Sequence, residues 1–346
     1  MQLGKIKFYT LVILLILSFS SLFAQSAKEY YERGVKKFER NDFKGALIDF
    51  SKAVELDKNY QEAFYNRGIT NYYLNNLENS LVDFTNAITL NKNDYDSYIF
   101  RGLIEYEFQR YEKSIIDYTT AITLNQNRRD GYFNRGITYS DYLKFDKALD
   151  DFNKCLDINA NDDETLVQIG NLLRRQGKND EAVVYYEKAI SINDKTFDAY
   201  LSIANIYKSK KVFDKALQYF NKAIEFNPDS FEAYNNRGNV YVEQNQFTNA
   251  LSDFNRAIEL NIDYAFAYNN RAYVLIKTNE YEKAKKDLDK SFQLNRVNAY
   301  LLRNYGYYYL GVNDKVRALE SFKEALLLDY KLEKELKKQI NELENK

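Results

Sequence analysis

Histidine and tryptophan are absent from the 346 residues, and cysteine, proline and methionine occur once each. Without histidine there is no His-based triad, no His-ligated metal site and no His general base. The single cysteine, Cys155, can form neither an internal disulfide nor a thiolate metal cluster. A lone cysteine is then either a small buried side chain or a nucleophile. Neither sign of charge dominates, with 49 basic and 50 acidic side chains and a net charge of -1. That balance speaks against nucleic acid as the main partner. Arg174, Arg175, Lys208, Lys210 and Lys211 form only a modest basic cluster. No residue pattern calls for a cofactor, a metal or a catalytic group.

Apolar residues are plentiful, at 45% with 16% aromatic, so a sizeable core can form. The longest apolar run is at the N-terminus. Lys5 and Lys7 precede residues 8–17, which are almost wholly apolar, and small residues lead to Ala24. Positive region, apolar run and small residue predict a signal peptide over residues 1–24, cut before Gln25. No cysteine follows the run, which excludes a bacterial lipoprotein. The alternative is an uncleaved anchor, because the run is nearly long enough to span a bilayer. Export to a periplasmic or secreted location, in a bacterial cell envelope, is the expectation. Loss of residues 1–24 removes two lysines and leaves a net charge of -3.

A period of 34 residues runs through the rest. Stepping from Gly34 by 34 meets Gly68, Gly102, Gly136, Gly170, Ala204, Gly238, Ala272 and Gly306. Aromatic or leucine residues stand four before each of these, from Tyr30 to Leu302. Twelve after stand Ala or Ser; sixteen after stand Phe, Tyr or Leu; nineteen after stand Ala, Cys or Ser. Cys155 belongs to the last column, which favours packing over reactivity. The columns at 12, 16 and 19 share one helix face. Each unit is therefore two amphipathic helices, and the small residues let them approach closely. Asp or Asn stands twenty-three after the glycine in all nine units, from Asp57 to Asp329. Asparagine tolerates the left-handed conformation that ends a helix, so this column is expected to make the turn between units.

These columns resemble the tetratricopeptide repeat family, over residues 27–332, with units starting near 27, 61, 95, 129, 163, 197, 231, 265 and 299. The usual turn proline appears only at Pro228, and tyrosine or phenylalanine stands in for tryptophan. The resemblance implies an all-α, right-handed α-solenoid of nine helix-turn-helix repeats with a concave, partner-binding face. Residues 333–346 differ. Leu332, Leu336, Ile340 and Leu343 form a narrow apolar stripe under a charged surface, as a C-terminal capping helix requires.

The residue before the glycine is Arg33, Arg67, Arg101, Arg135, Arg237 or Arg271 in six units. Sixteen positions later stand Asp49, Asp83, Asp117, Asp151, Asp253 and Asp287. The three units without Arg carry Ile169, Ile203 and Tyr305, and they also lack the Asp, having Tyr185, Tyr219 and Ser321. Chance gives that match about one time in 84, so a pair within each unit is expected. The pair would join the two helices by a forked, charge-assisted contact. The alternative is a row of arginines lining a ligand site. Glu62, Asp96, Asp130, Glu164, Asp198 and Glu232 recur six before the glycine, in the first turn of a helix, where the dipole favours acids. A cation-binding row is the alternative there.

The repeats fill the chain, so a non-enzymatic scaffold for protein or peptide partners is the expected function, with no nucleic acid and no metal. A membrane-tethered assembly or signalling component is the alternative if the N-terminal segment stays. The resemblance places partner-binding residues on the first helices. In the first four units these are Tyr31, Tyr65, Ile69, Tyr72, Ile99, Leu103, Tyr106, Phe133 and Ile137, suited to apolar side chains. Further on they are Asn171, Asn205, Asn235, Asn239 and Asn269, whose amides can pair with a peptide backbone. Packing between adjacent units is the other reading of these positions. A chaperone-type carboxylate clamp is matched by Asn205, Asn236 and Lys277 but not by Leu201 and Tyr273, and is rejected.

Overall fold

The computed structural model describes residues 26–295 and 298–344. The expected signal peptide or anchor, residues 1–24, lies outside them. Nineteen α-helices and one short 3-10 turn make up the described residues, with no strand among them. The chain divides into two compact units, Met1–Thr165 and Leu166–Lys346. The division falls in the first turn of a helix.

The first unit holds four hairpins: α1 (Ala27–Glu39) with α2 (Phe43–Leu56), α3 (Gln61–Tyr73) with α4 (Leu77–Leu90), α5 (Tyr95–Glu107) with α6 (Tyr111–Leu124), and α7 (Arg129–Asp141) with α8 (Phe145–Ile158). A fifth, α9 (Asp163–Arg175) with α10 (Asn179–Ile192), begins at the division. The second unit continues with α11 (Phe197–Ser209) and α12 (Phe213–Phe226), α13 (Phe231–Glu243) and α14 (Phe247–Leu260), α15 (Ala265–Lys277) and α16 (Tyr281–Leu294), and α17 (Ala299–Gly311) and α18 (Lys315–Leu328). Tyr330–Leu332 is the 3-10 turn that leads into α19 (Glu333–Glu344).

The columns of the sequence are the core of each hairpin. Ala46, Phe50 and Ala53 are fully buried, and so are Ala216, Phe220 and Ala223. The glycine lets the second helix's ring lie on the first helix's backbone. A Cβ at Gly136 would stand 2.7 Å from Cε1 of Phe152. Cys155 is buried in this layer, and burial pushes its thiol up to about 12, so it stays protonated and inert. The terminal helix covers the last hairpin: Leu332, Leu336 and Ile340 join Ala318, Phe322 and Ala325 in one cluster, with Leu343 against it.

The left-handed residues are not where the asparagine column predicts. They sit seven after the glycine, inside every hairpin: Asn41, Asn75, Gln109, Leu143, Gly177, Lys211, Asn245, Asn279 and Asn313. In the first hairpin Asn41 N–H donates to Phe38 O and Asp42 N–H to Lys37 O, both at 2.9 Å. Those two bonds close the helix end with the left-handed residue between them. The column at twenty-three is extended instead, with φ -133° at Asp57 and -150° at Asn125. Its side chain accepts a hydrogen bond from the backbone two residues on, as Asn125 Oδ1 does from Asn127 N–H at 3.0 Å. The turn between hairpins is an Asx turn, and the expected left-handed cap there is corrected.

Leu143 is 65% exposed and holds φ at 59°. A left-handed non-glycine residue costs roughly 1–2 kcal/mol. Leu143→Gly should therefore stabilise the chain by about 1 kcal/mol, allowing for the extra freedom of glycine when unfolded. Urea unfolding checks this; a variant less stable than the parent would mean the leucine is held by contacts.

Candidate partner-binding face

The six Arg–Asp pairs form within their own hairpins. Arg135 Nε and Nη2 donate to Asp151 at 2.8 and 2.7 Å, and Arg237 does the same to Asp253. The carboxylates are buried, and each guanidinium also lies near the ring three residues before it, as Arg67 does over Phe64 at 5.4 Å. A further bond escaped the sequence reading. Arg135 Nη1 donates to Thr119 Oγ1 at 2.9 Å, and Arg237 and Arg271 reach Asn221 and Asn255 at 2.7 Å. These acceptors lie on the second helix of the preceding hairpin. In these three units the arginine thus locks its own hairpin and ties it to the one before. The recurring acids lie in first turns as expected, and Arg128 joins two of them, Asp96 and Asp130, at 2.8 Å each.

In the first unit, the expected partner-binding residues divide into two groups. Ile99 and Phe133 are buried, with the Arg129 guanidinium 3.8 Å above the Phe133 ring. They fill space between helices and present no surface. Tyr31, Tyr65, Ile69, Tyr72, Leu103, Tyr106 and Ile137 are half-buried. Tyr65 and Tyr72 both pack edge-on against Phe100, at 6.1 and 6.4 Å. The Tyr31 hydroxyl accepts from Asn66 Nδ2 at 3.1 Å, and the Tyr106 hydroxyl donates to Asp141 at 2.5 Å. Burial pushes the Tyr65 and Tyr72 phenols above their ordinary value, so both are neutral groups at physiological pH.

Among the asparagines, Asn235 and Asn269 are buried, at 3% and 2% exposure. Asn270 Nδ2 donates to Asn235 Oδ1 and Asn304 Nδ2 to Asn269 Oδ1, each at 2.9 Å. Their amide oxygens pair consecutive first helices, so these two are corrected from partner contacts to structural ones. Asn171 accepts from the Tyr186 hydroxyl at 2.8 Å, and Asn205 Nδ2 donates to Leu201 O at 3.0 Å. Asn239 lines a cleft of about 730 Å³ in the second unit, with Lys208, Asn270, Tyr273, Arg303 and Glu335.

The cleft residues were within reach of the sequence. Lys208 occupies the column four after the glycine that holds Phe38, Tyr72 and Tyr106, and Tyr273 the column of Asn205 and Asn239. The lysine's column is mixed, with Ser140 and Arg174 in the two preceding units, so residue type alone does not mark the lysine as part of a cleft. Lys208 Nζ donates to Asn236 Oδ1 at 2.9 Å, and burial pushes the ammonium below its ordinary value.

Family models for the tetratricopeptide repeat match residues 95–128, 130–162, 231–264 and 254–286, and a TPR repeat model matches 170–211 and 204–244. The chain belongs to the tetratricopeptide repeat family. Among solved structures, a chain of the APC/C hetero-tetramer Cut9–Hcn1 is similar at 15% identity, with a TM-score of 0.56 over 88% of this chain and 73% of that one. The C-terminal part of a TPR repeat-containing protein from Cytophaga hutchinsonii is similar at 21% identity, with a TM-score of 0.50 over 67% of this chain and 95% of that one. Both speak for the fold. No curated protein matches the chain. As a tetratricopeptide repeat protein, the chain has the architecture of a protein–protein interaction scaffold.

Proposed function

We propose that this tetratricopeptide repeat protein is a non-enzymatic scaffold of the cell envelope that binds peptide segments along its first helices. The observation that carries the reading is the residual surface of those helices. Their buried columns are consumed by hairpin packing, yet Tyr65, Ile69, Tyr72, Leu103, Asn205 and Asn239 keep part of their surface free of it. Aromatic edges suit apolar side chains, and amides can donate to and accept from an extended backbone. The envelope location rests on Lys5, Lys7 and the apolar run after them. Intact mass of protein from its own host tests that part: a chain beginning at Gln25 supports export, and a mass retaining residues 1–24 favours the anchored alternative.

For binding, partners are crosslinked in the native envelope and identified by mass spectrometry. Retention is then compared between the parent, Tyr65→Ala with Tyr72→Ala, and Asn205→Ala with Asn239→Ala, each with its helical content checked. At least one double variant should lose roughly tenfold in affinity, the equivalent of about 1.4 kcal/mol. Parental binding by both would place the partner elsewhere.

A further inference from the structure

From the outer side of the second helices, we infer that two copies of this chain pair face to face through α4 and α6. Fourteen residues after the repeat glycine stand Ile48, Val82 and Ile116 in the first three hairpins, 68%, 56% and 64% exposed. The column continues as Asp150, Val184, Gln218, Ser252, Lys286 and Glu320. Eighteen and twenty-one positions along, four hairpins carry an ion pair: Lys52 with Glu55, Lys154 with Asp157, Lys222 with Glu225 and Arg256 with Glu259. In the second and third hairpins those two positions are Asn86 with Thr89 and Thr120 with Thr123. Only these two adjacent hairpins of the nine leave all three columns without charge.

The threonines make this face more apolar than its composition suggests. Thr85 and Thr89 donate from Oγ1 to Leu81 O and Thr85 O at 2.8 Å. Thr120 and Thr123 donate to Ile116 O and Thr119 O at 2.9 Å. The O–H groups are thus spent on their own helix, and methyl groups remain. β-Branched residues are also poorer helix formers than the Lys, Arg and Glu of the other hairpins. An exposed helix without a partner gains nothing from that exchange, whereas the core of an interface is depleted of charge.

The relief of the face fits a second copy. α4 and α6 are ridges on either side of a groove of about 230 Å³, walled by Leu81, Thr85 and Ile116. One hairpin further on, Arg135 reaches across to Thr119. Here Thr85 bonds its own helix, and among the described residues no bond joins it to Arg101, so the groove stays open. The charges on its floor are paired: Arg101 donates to Asp117 at 2.9 and 2.6 Å, and Arg110 to Glu105 at 3.2 Å. Lys113 also lines the groove, but it is exposed and can keep its ammonium in water. Ridges and grooves of one copy repeat at the spacing of the other's, so α4 of each seats in the groove of its partner about a two-fold axis. That seating sets Val82 against the partner's Ile116. A charged face turned on itself meets its own sign, and this face brings none. Three neighbouring second helices, each about 21 Å long and about 10 Å apart, present about 600 Å² per copy, the area of a weak, reversible dimer. Such pairing does not depend on peptide binding, and it sets two rows of first helices on one particle.

Sedimentation equilibrium over about 1–300 μM, on the chain as its host produces it, tests the pairing. The parent should dimerise with a dissociation constant of roughly 1–100 μM. Val82→Lys and Ile116→Glu should each weaken the dimer at least about tenfold, and Gln218→Lys, at the same position of α12, should not. Mixing Val82→Lys with Ile116→Glu should restore pairing, because the two new charges then face each other across one contact while the other keeps its parental residues. All three sites are exposed, and circular dichroism confirms that the variants fold. A parent that stays monomeric overturns the proposal and leaves the face to a different protein. A dimer that survives both single changes overturns it as well. If each change dissociates the dimer and the mixture stays monomeric, the seating of Val82 against Ile116 is wrong.

Discussion

Asp151→Ala should lower stability by about 3 kcal/mol, near the lower end of what breaking a buried ion pair costs. Asp151 is 4% exposed and receives both forks of Arg135. The Arg135 side chain left behind is 17% exposed and keeps one bond, from Nη1 to Thr119 Oγ1. That remaining bond and its access to water hold the loss below the upper end. The double change Arg135→Ile with Asp151→Tyr copies the fifth hairpin, where Ile169 is fully buried and Tyr185 replaces the acid. It should be less destabilising than Asp151→Ala, because no charge is stranded. Urea unfolding followed by helical circular dichroism measures all of the variants. If the double change is as costly as Arg135→Ile and Asp151→Tyr added together, the two side chains do not act as a pair. Hydrogen exchange adds a second readout: the Arg135–Thr119 bond predicts that Arg135→Ile loosens α6 as well as its own hairpin.

Gly136→Val should cost about 3 kcal/mol or more, at or beyond the usual range for overpacking. The first added carbon already meets Phe152 Cε1 at 2.7 Å and Cδ1 at 3.0 Å. Phe152 is 1% exposed, so its ring has little space to retreat. Gly136→Ala should cost less than Gly136→Val, because only one carbon presses on the ring and the better helix propensity of alanine offsets part of that contact. The sixth hairpin already makes that compromise, with Ala204 opposite Phe220. The eighth makes a further one, with Ala272 opposite the smaller Leu288. Adding Phe152→Leu to Gly136→Val should accordingly recover part of the loss. Thermal melts decide: equal stability of the Val and Ala variants would show that the ring does not confine this position.

Most of the fold was legible because the period is written in contacts within one hairpin. Gly136 with Phe152 and Arg135 with Asp151 each lie sixteen residues apart on two helices joined by a short turn. At that separation, position along the helices largely dictates which side chains meet. Composition alone does not distinguish the two ways asparagine turns a chain, which is why the asparagine column reads as a left-handed cap and is not one. Asn125 uses its side-chain oxygen in extended backbone, while Asn245 uses a positive φ.

The sequence by itself determined the paired helices, the buried columns, the Arg–Asp locks and the terminal cap. Tertiary structure alone decided which first-helix residues keep a surface. Whether Asn235 faces a partner or pairs with Asn270 depends on how one hairpin is rotated on the next, and a constant period carries no record of that rotation. The same rotation buries Ile99 and Phe133 between helices and leaves Tyr65 and Tyr72 half-covered. It also half-buries Lys208, one basic residue among several in the sequence, in the wall of a cleft, where desolvation lowers its proton affinity, because desolvation is a property of the surroundings and not of the residue.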